Sequence, residues 1–483
     1  MNPRITKDFR LIAPAWLLTM ALMIAATFLP EVGKEWAVTI VVFGSLIIAA
    51  SIFGTEFTHN TLPQLLAQPI DRRRIWWQKT IIMAAALASL FAVLVATEHT
   101  TWPVAIIAAA FCTVPFFTLV GRSTIAGIIL AVPIPGLIFV FGGLLGLWLL
   151  RPEGELVNEE RLHFWMRTYM YTVLPVYCVV VFYLSYRRLL NFELAGGEHS
   201  NIRLPISMQA RVERLASSLI PSKYRDIRAL VAKELHLQHN STILFLLFLG
   251  LQLLDIAFLE LAYPKDPGEY FVMPLFFCAG TMPLVIGSSA IAEETNLGTR
   301  AWHLTLPISI RTQWFVKLSV VSTFAIVFAI LVPLFWLWLG WKLGLLAAAP
   351  DILSALWLFF YSPVLLVTLI AFYASSFSRD TLRALLTAFA ICASIVFISV
   401  LGGTLFEWSG LAKRNLGDAT RVVAIGWVLL GMAISCLLFL LLRSSFTHFA
   451  SLDRRRIWTN LLAVVLSPIL LFFLLLIVAF LTR

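Results

Sequence analysis

Few side chains in the apolar stretches of this sequence could do chemistry. Asp255 lies well inside one such stretch, with Gln252 one turn earlier on the same helical face. A charge in lipid is costly and by default marks a substrate or ion path. The pair therefore reads either as the polar lining of a translocation path or as a residue hydrogen-bonded to a neighbouring helix. Glu293-Glu294 and His236/His239 are the nearest approaches to a catalytic group, and neither has the partners that acid-base or metal chemistry needs. No His-x-x-x-His zinc pair, paired aspartates of a prenyl-transfer site, Gly-x-Ser-x-Gly elbow or Cys/His cluster occurs. Gly33-Lys34 is the sole Gly-Lys pair, with Phe28 where a phosphate-cradling loop requires Gly and Glu35 where it requires Ser or Thr. No catalytic, cofactor-binding or metal residue is assigned, so the chain is not expected to be an enzyme by itself.

The stronger signal is a spacing. When Glu56–Lys79 is laid on Glu294–Lys317 without a gap, eight of twenty-four positions are identical: Glu56/Glu294, Thr61/Thr299, Leu66/Leu304, Pro69/Pro307, Ile70/Ile308, Arg73/Arg311, Trp76/Trp314 and Lys79/Lys317. Composition alone gives roughly one or two. Each window is a polar, basic segment between two long apolar runs. It reads as an exit from the membrane, a short surface helix opened by Thr61 or Thr299, a stop at the proline and a re-entry at the lysine. A second, weaker echo pairs Lys7-Asp8-Phe9-Arg10-Leu11 with Lys233-Glu234-Leu235-His236-Leu237, and a third repeats Asp71–Trp76 verbatim as Asp453–Trp458. The third reads as a topological lock of three cations and an interfacial Trp, or as a partial further repeat.

The elements that must position these windows follow from composition. Sixty per cent hydrophobic residues, 13% charged and a mean hydropathy of +0.90 leave too little polar surface to clothe a soluble globule of 483 residues. The apolar residues fall in continuous runs of about 20, long enough for membrane-crossing helices and without the alternation of barrel strands. The reading is an all-α polytopic protein of about 13 spans: a first six-span half over 1–186, a linker over 187–240, a second six-span half over 241–442, and a basic turn with an extra span over 443–483. Placing the N-terminus in the cytoplasm puts 26 Lys and Arg on that side and ten on the other, which favours an inside N-terminus with both windows inside. The net charge of +10 is thus topogenic, and nucleic acid is not an expected partner. In the linker, Met208, Val212, Leu215 and Leu219 share one helical face, as in a helix lying on the membrane surface. The five cysteines lie within apolar runs and read as packing residues. Gly127, Gly136, Gly142, Gly143 and Gly146, with Pro133 and Pro135, give the fifth run a small-residue, broken character suited to close helix packing or to a gate.

The windows resemble the permeases of type-2 ABC exporters, in which each six-span half carries a coupling helix between its second and third spans. The resemblance rests on Glu56, Thr61, Leu65–Ile70 and Arg73–Lys79. It rests equally on Glu294, Gly298-Thr299, Leu304–Ser309 and Arg311–Lys317, which are closer to the Glu-x-x-x-Gly-Thr pattern because Asn60 replaces Gly in the first window. It implies that Glu56, Thr61, Pro69, Ile70, Arg73, Lys79, Glu294, Gly298, Thr299, Pro307, Ile308, Arg311 and Lys317 form coupling segments for a separate ABC ATPase. Two copies of that ATPase are expected, carrying ATP and magnesium, with this chain binding no cofactor and sitting in the cell membrane among lipid. Disruption at Gly298-Thr299 is expected to harm coupling more than disruption at Asn60-Thr61. The competing reading is an ion-coupled secondary transporter or membrane scaffold with an internal duplication. It calls for mid-membrane ionisable sites matched between the halves, and Asp255 has no acidic counterpart in the first span.

Overall fold

A computed structural model describes residues 3–27, 32–58, 61–98, 103–121, 124–131 with scattered positions to 145, 159–192, 225–262, 268–296, 298–300, 307–344, 350–408, 435–450 and most of 457–466. Among these the chain is helical throughout, without a strand. The first part contains α1 (Pro3–Thr27), α2 (Val32–Thr58), the five-residue α3 (Leu62–Leu66), α4 (Arg72–Glu98), α5 (Pro103–Gly121), α6 (Thr124–Ala131) and α7 (Glu159–Leu190). The second contains α8 (Arg225–Leu237), α9 (His239–Ala262), α10 (Gly268–Asn296), α11 (Ile310–Ile326), α12 (Val332–Lys342), α13 (Pro350–Phe377), α14 (Thr381–Trp408) and α15 (Ser435–Ala450).

Five stretches are long and apolar enough to cross a membrane: Ile5–Ala26, Ile40–Phe57, Arg72–Ala96, Arg167–Leu190 and Ile310–Lys342. The bent pair α8–α9 makes a sixth if it is one span, and Ile106–Gly121, Pro363–Phe377, Thr381–Ile395 and Ser435–Ala450 are shorter apolar helices. The chain is thus an all-helical membrane protein, while thirteen crossings and an inside N-terminus remain expectations of the sequence. The linker face Met208–Leu219 lies outside the described residues, as do most of the Asp453–Trp458 echo, the greater part of the extra C-terminal span and the side chain of Asp255.

The first core is built by α1, α2, α4, α5 and α6, with Leu62 and Leu66 of α3 and Leu189 and Phe192 at the end of α7 closing it from one side. In the second part, one cluster joins α9, α10 and the α11–α12 rod through residues such as Phe248, Met282, Trp314 and Trp336, and another joins α13, α14 and α15. Between α11 and α12 the rod passes through a single π-turn, Val327–Leu331. Pro333 follows two residues later and has no N–H for the helical ladder, which accounts for the irregular turn. Phe328 on that turn stacks on Phe245 of α9, with centroids 4.0 Å apart.

Close approach of α10 and α13 depends on Gly287. A Cβ there would stand 2.6 Å from the Thr368 carbonyl oxygen and 2.9 Å from the Phe372 amide nitrogen, both backbone atoms that cannot swing aside. The small residues of the fifth run act similarly where described: Gly127 faces Thr118 of α5 and Gly142 faces Tyr169 of α7. Gly287→Ala is expected to destabilise the protein by about 1–3 kcal/mol through overpacking. Gly280→Ala, on the same helix with open space around it, is expected to be neutral or mildly stabilising because alanine favours helix. Thermal unfolding of the two purified variants distinguishes them; equal melting temperatures would remove the packing argument.

Candidate functional site: two buried ion quartets beneath surface knobs

Each repeated window begins where a long helix ends. In the second, the α10 carbonyls are closed by a Schellman arrangement: the Thr299 amide donates to the Glu294 carbonyl at 3.0 Å and the Gly298 amide to the Thr295 carbonyl at 3.2 Å. Gly298 has φ +72°, the left-handed conformation this motif requires. In the first window the outer bond of this closure recurs, the Thr61 amide donating to the Glu56 carbonyl at 2.9 Å. Asparagine is the usual alternative to glycine in this motif, and α2 ends at Thr58. The Glu-x-x-x-Gly-Thr pattern is thus a helix-ending signal that also places a carboxylate one turn before the stop.

Re-entry is equally matched although the residue types differ. The Asp71 carboxylate accepts from the Arg73 amide at 3.0 Å and opens α4, and the Ser309 hydroxyl accepts from the Thr312 amide at 3.1 Å and opens α11. Both are N-caps. They start these helices before the apolar runs do, which is why α4 reaches back to Arg72 and α11 to Ile310, and why Lys79 and Lys317 lie within helices rather than at their first residue. Between stop and re-entry the first window forms α3, with Thr61 at its N-terminus and Leu62 and Leu66 buried. The short-helix expectation for the second window falls on 301–306, outside the described residues.

The two carboxylates meet the two lysines, and each joins the weaker echo. Glu56, at the end of α2, accepts from Lys79 of α4 at 3.1 Å and from Lys7 of α1 at 3.1 Å, while Lys79 also reaches Asp8 of α1 at 2.8 Å and the Ile52 carbonyl at 3.2 Å. The Thr61 hydroxyl donates to the Glu56 carboxylate, and Gln78 donates to Asp8 at 3.1 Å. In the second part, Lys317 of α11 is 2.6 Å from Glu234 of α8 and 2.7 Å from Glu294 of α10, and Lys233 of α8 pairs with Glu294 and lies 3.5 Å from Glu234. Each quartet holds two cations and two anions, so it is neutral as a unit.

Burial divides the members by role. The side chains of Lys79 and Lys317 are 2% and 1% exposed, and those of Glu56 and Glu294 1% and 0%, whereas Lys7 is 49% and Lys233 28% exposed. A buried ammonium between two carboxylates carries a desolvation cost that only their attraction offsets, so removal of either sign leaves an uncompensated buried charge. Around each central lysine the aromatic packing is also shared. Trp76, one turn before Lys79, stacks on Phe53, and Trp314 meets Phe372 and Phe446 edge-on.

An arginine then fastens each assembly to a later helix end. The Arg72 guanidinium donates to the carbonyls of Leu190 at 2.7 Å and Phe192 at 3.1 Å at the end of α7. Arg300 donates to the His448 carbonyl at 2.9 Å, near the end of α15. These arginines occupy different places in the two windows, so no alignment pairs them. Glu293, beside the quartet, accepts from Thr381 at 2.8 Å and ties α10 to α14.

Of the residues singled out in the sequence, Glu56, Lys79, Glu294 and Lys317 are inside, Thr61 and Thr299 sit at the helix stops, and Pro69, Arg73, Pro307 and Arg311 are exposed with Ile70 and Ile308 half-buried between. Gln252 is buried in α9. A separate, small apolar cleft lies between the two parts, with Phe43 and Leu46 of α2, Ile128 of α6, Phe248 of α9, Thr281 of α10 and Phe389 of α14 on its walls. Compared with known proteins, the chain matches no family model, no curated protein and no solved structure.

Two predictions follow from the geometry. Lys79→Met is expected to cost about 3–5 kcal/mol because it leaves Asp8 with only Gln78 and Glu56 with Lys7 as its one cation, whereas Lys7→Met, at a half-exposed position, costs under about 1 kcal/mol. Adding Asp8→Asn to Lys79→Met restores balance and recovers part of the loss, read by thermal unfolding in detergent; no recovery would mean that the quartet is not the unit. Gly298→Val is expected to cost about 1–2 kcal/mol for its backbone conformation alone, since the space around it is open, and Gly298→Asn much less. Limited proteolysis around 297–306 checks this, with Val cut faster than Asn.

Proposed function

We propose that this chain is the membrane permease of an ATP-driven exporter of the type-2 ABC class, with six spans in each half, one further C-terminal span, and its N-terminus and both knobs on the cytoplasmic side of the cell membrane. A separate ABC ATPase in two copies binds ATP and magnesium, and the chain itself contributes no catalytic group. The observation that carries this reading is the pair of knobs. Each has an exposed proline followed by an exposed arginine in the first turn of the re-entrant helix, and each is anchored by a buried quartet to three helix ends. A surface element that must push on the membrane helices needs rigid anchorage, and a buried, neutral charge cluster supplies it. On this reading Glu56, Lys79, Glu294 and Lys317 transmit movement, while Pro69, Ile70, Arg73, Pro307, Ile308 and Arg311 meet the ATPase.

The apolar cleft between the halves supports a path for cargo there, with Thr281 of α10 and Phe389 of α14 on its wall. The secondary-transporter alternative needs free ionisable groups in mid-membrane. Glu56 and Glu294 are instead committed to lysines at helix ends, which favours the permease.

The test is purification in mild detergent with an ATPase encoded beside the chain, followed by reconstitution. Wild-type permease is expected to retain the ATPase and to raise its turnover. Arg73→Glu with Arg311→Glu, both exposed and outside the quartets, is expected to abolish the stimulation while elution and melting stay unchanged. A permease that retains no ATPase and supports no ATP-dependent transport would falsify the reading.

A further inference from the structure

Around the first knob, the exposed sides of α4 and α7 carry a second pattern that shares only Arg73 with the coupling role. Along α4, Arg73, Trp77 and Ile81 recur every four residues and are all exposed, Trp77 by 52% and Ile81 by 62%. Along α7 the same order runs in the opposite chain direction: Arg187 and Arg188 exposed at the end, Tyr183 and Leu184 one turn before, Val179 and Val180 one turn before those. Four-residue spacing stacks each set on one helix face. Each face therefore passes from guanidinium through aromatic ring to aliphatic surface, in the order that a membrane passes from headgroup to acyl chain.

The two faces are neighbours. Arg72 joins the start of α4 to the end of α7 through the Leu190 and Phe192 carbonyls, and Trp77 lies 6.4 Å from the Phe182 ring. Arg187 sits 6.0 Å over the Tyr183 ring, so its charge is held at the level of the aromatics. Five arginines, Arg72–Arg74 with Arg187 and Arg188, gather at this junction. The acidic residue adjoining them in the sequence, Asp71, has its carboxylate turned to the Arg73 amide as a helix cap. Of the five, Arg72 is engaged by backbone carbonyls, which leaves four exposed cations beside exposed apolar side chains.

We propose that the α4–α7 junction is a binding site for an anionic phospholipid, whose phosphate is held by Arg73, Arg74, Arg187 and Arg188 and whose acyl chains lie along Trp77, Ile81 and Tyr183. Charge complementarity selects the anionic headgroup, and the apolar columns select a lipid over a soluble phosphate. The second part provides an internal control. There α11 and α15 carry one exposed arginine each, Arg311 and Arg443, one turn from exposed Phe315 and Phe439. Among the described residues this column carries half the charge or less, and it holds an anionic lipid more weakly. This site does not depend on the ATPase assignment.

The experiment is native mass spectrometry of the full-length protein titrated with phosphatidylglycerol, phosphatidylcholine or inorganic phosphate. The wild type retains phosphatidylglycerol in preference to phosphatidylcholine, and inorganic phosphate does not displace it. R73Q/R74Q/R187Q/R188Q lowers phosphatidylglycerol retention by about tenfold or more, and R311Q/R443Q leaves most of it. R187Q/R188Q alone gives an intermediate loss and serves if the fourfold variant does not fold, while R187K/R188K keeps the lipid. Equal retention of the two lipids, displacement by inorganic phosphate, or wild-type retention by the glutamine variants overturns the proposal.

Discussion

The structure depends on a lysine ammonium held out of water between two carboxylates. Lys79 does this for Asp8 and Glu56, and Lys317 for Glu234 and Glu294. An isolated charge in such a place would be driven to neutralise or to find water. Once each lysine has two acids and a further lysine completes the balance, three helix ends are fixed to one point. Helix packing in lipid lacks the hydrophobic drive available in water, so a point of polar attachment at the membrane surface has disproportionate influence on how helices are arranged there.

From that point the remaining features follow in order. The carboxylate lies one turn before a helix stop, so the stop is fixed relative to the quartet. The chain after the stop must return to a helix carrying the lysine, and the N-caps Asp71 and Ser309 set where that helix begins. What lies between, described in the first part, is the short helix α3 followed by the exposed turn 67–69; Arg72 ties the first assembly to a distant helix end and Arg300 the second. Such a turn is well suited to receive a force, and the exporter reading assigns that force to a partner ATPase.

The two parts are not interchangeable. α1 runs unbroken past its quartet, whereas α8 and α9 meet at a 52° bend beside theirs. The polar run His236–Asn240 has no equivalent after Asp8, and Gln238 within it donates to the Ile286 carbonyl and accepts from Ser241 and Ser289. Those bonds anchor the bend to α10. Charge differs as well, since among the described residues the arginines beside the first knob outnumber those beside the second.

Much of this was legible in the sequence. Long apolar runs demand helices because lipid offers backbone amides no other partner, so the helical class needed no tertiary information. The windows were visible as eight matched positions, and the Lys-Asp and Lys-Glu echoes as a second match at a different offset. That the echoes and the windows belong to one cluster was not visible, because the partners are 49 to 83 residues apart and only packing brings their helix ends together. Burial was likewise hidden: Glu56 and Arg73 are both charged residues of one polar segment, and the fold puts one inside and the other outside. The helix-end arginines and the N-caps escaped alignment for a related reason, since a carbonyl or an amide can be met by any donor or acceptor that the geometry presents. Composition and periodicity thus determined what kind of protein this is and where its polar segments fall. The tertiary structure alone decided which of those charges neutralise one another, because the cost of a buried charge is set by its neighbours in space.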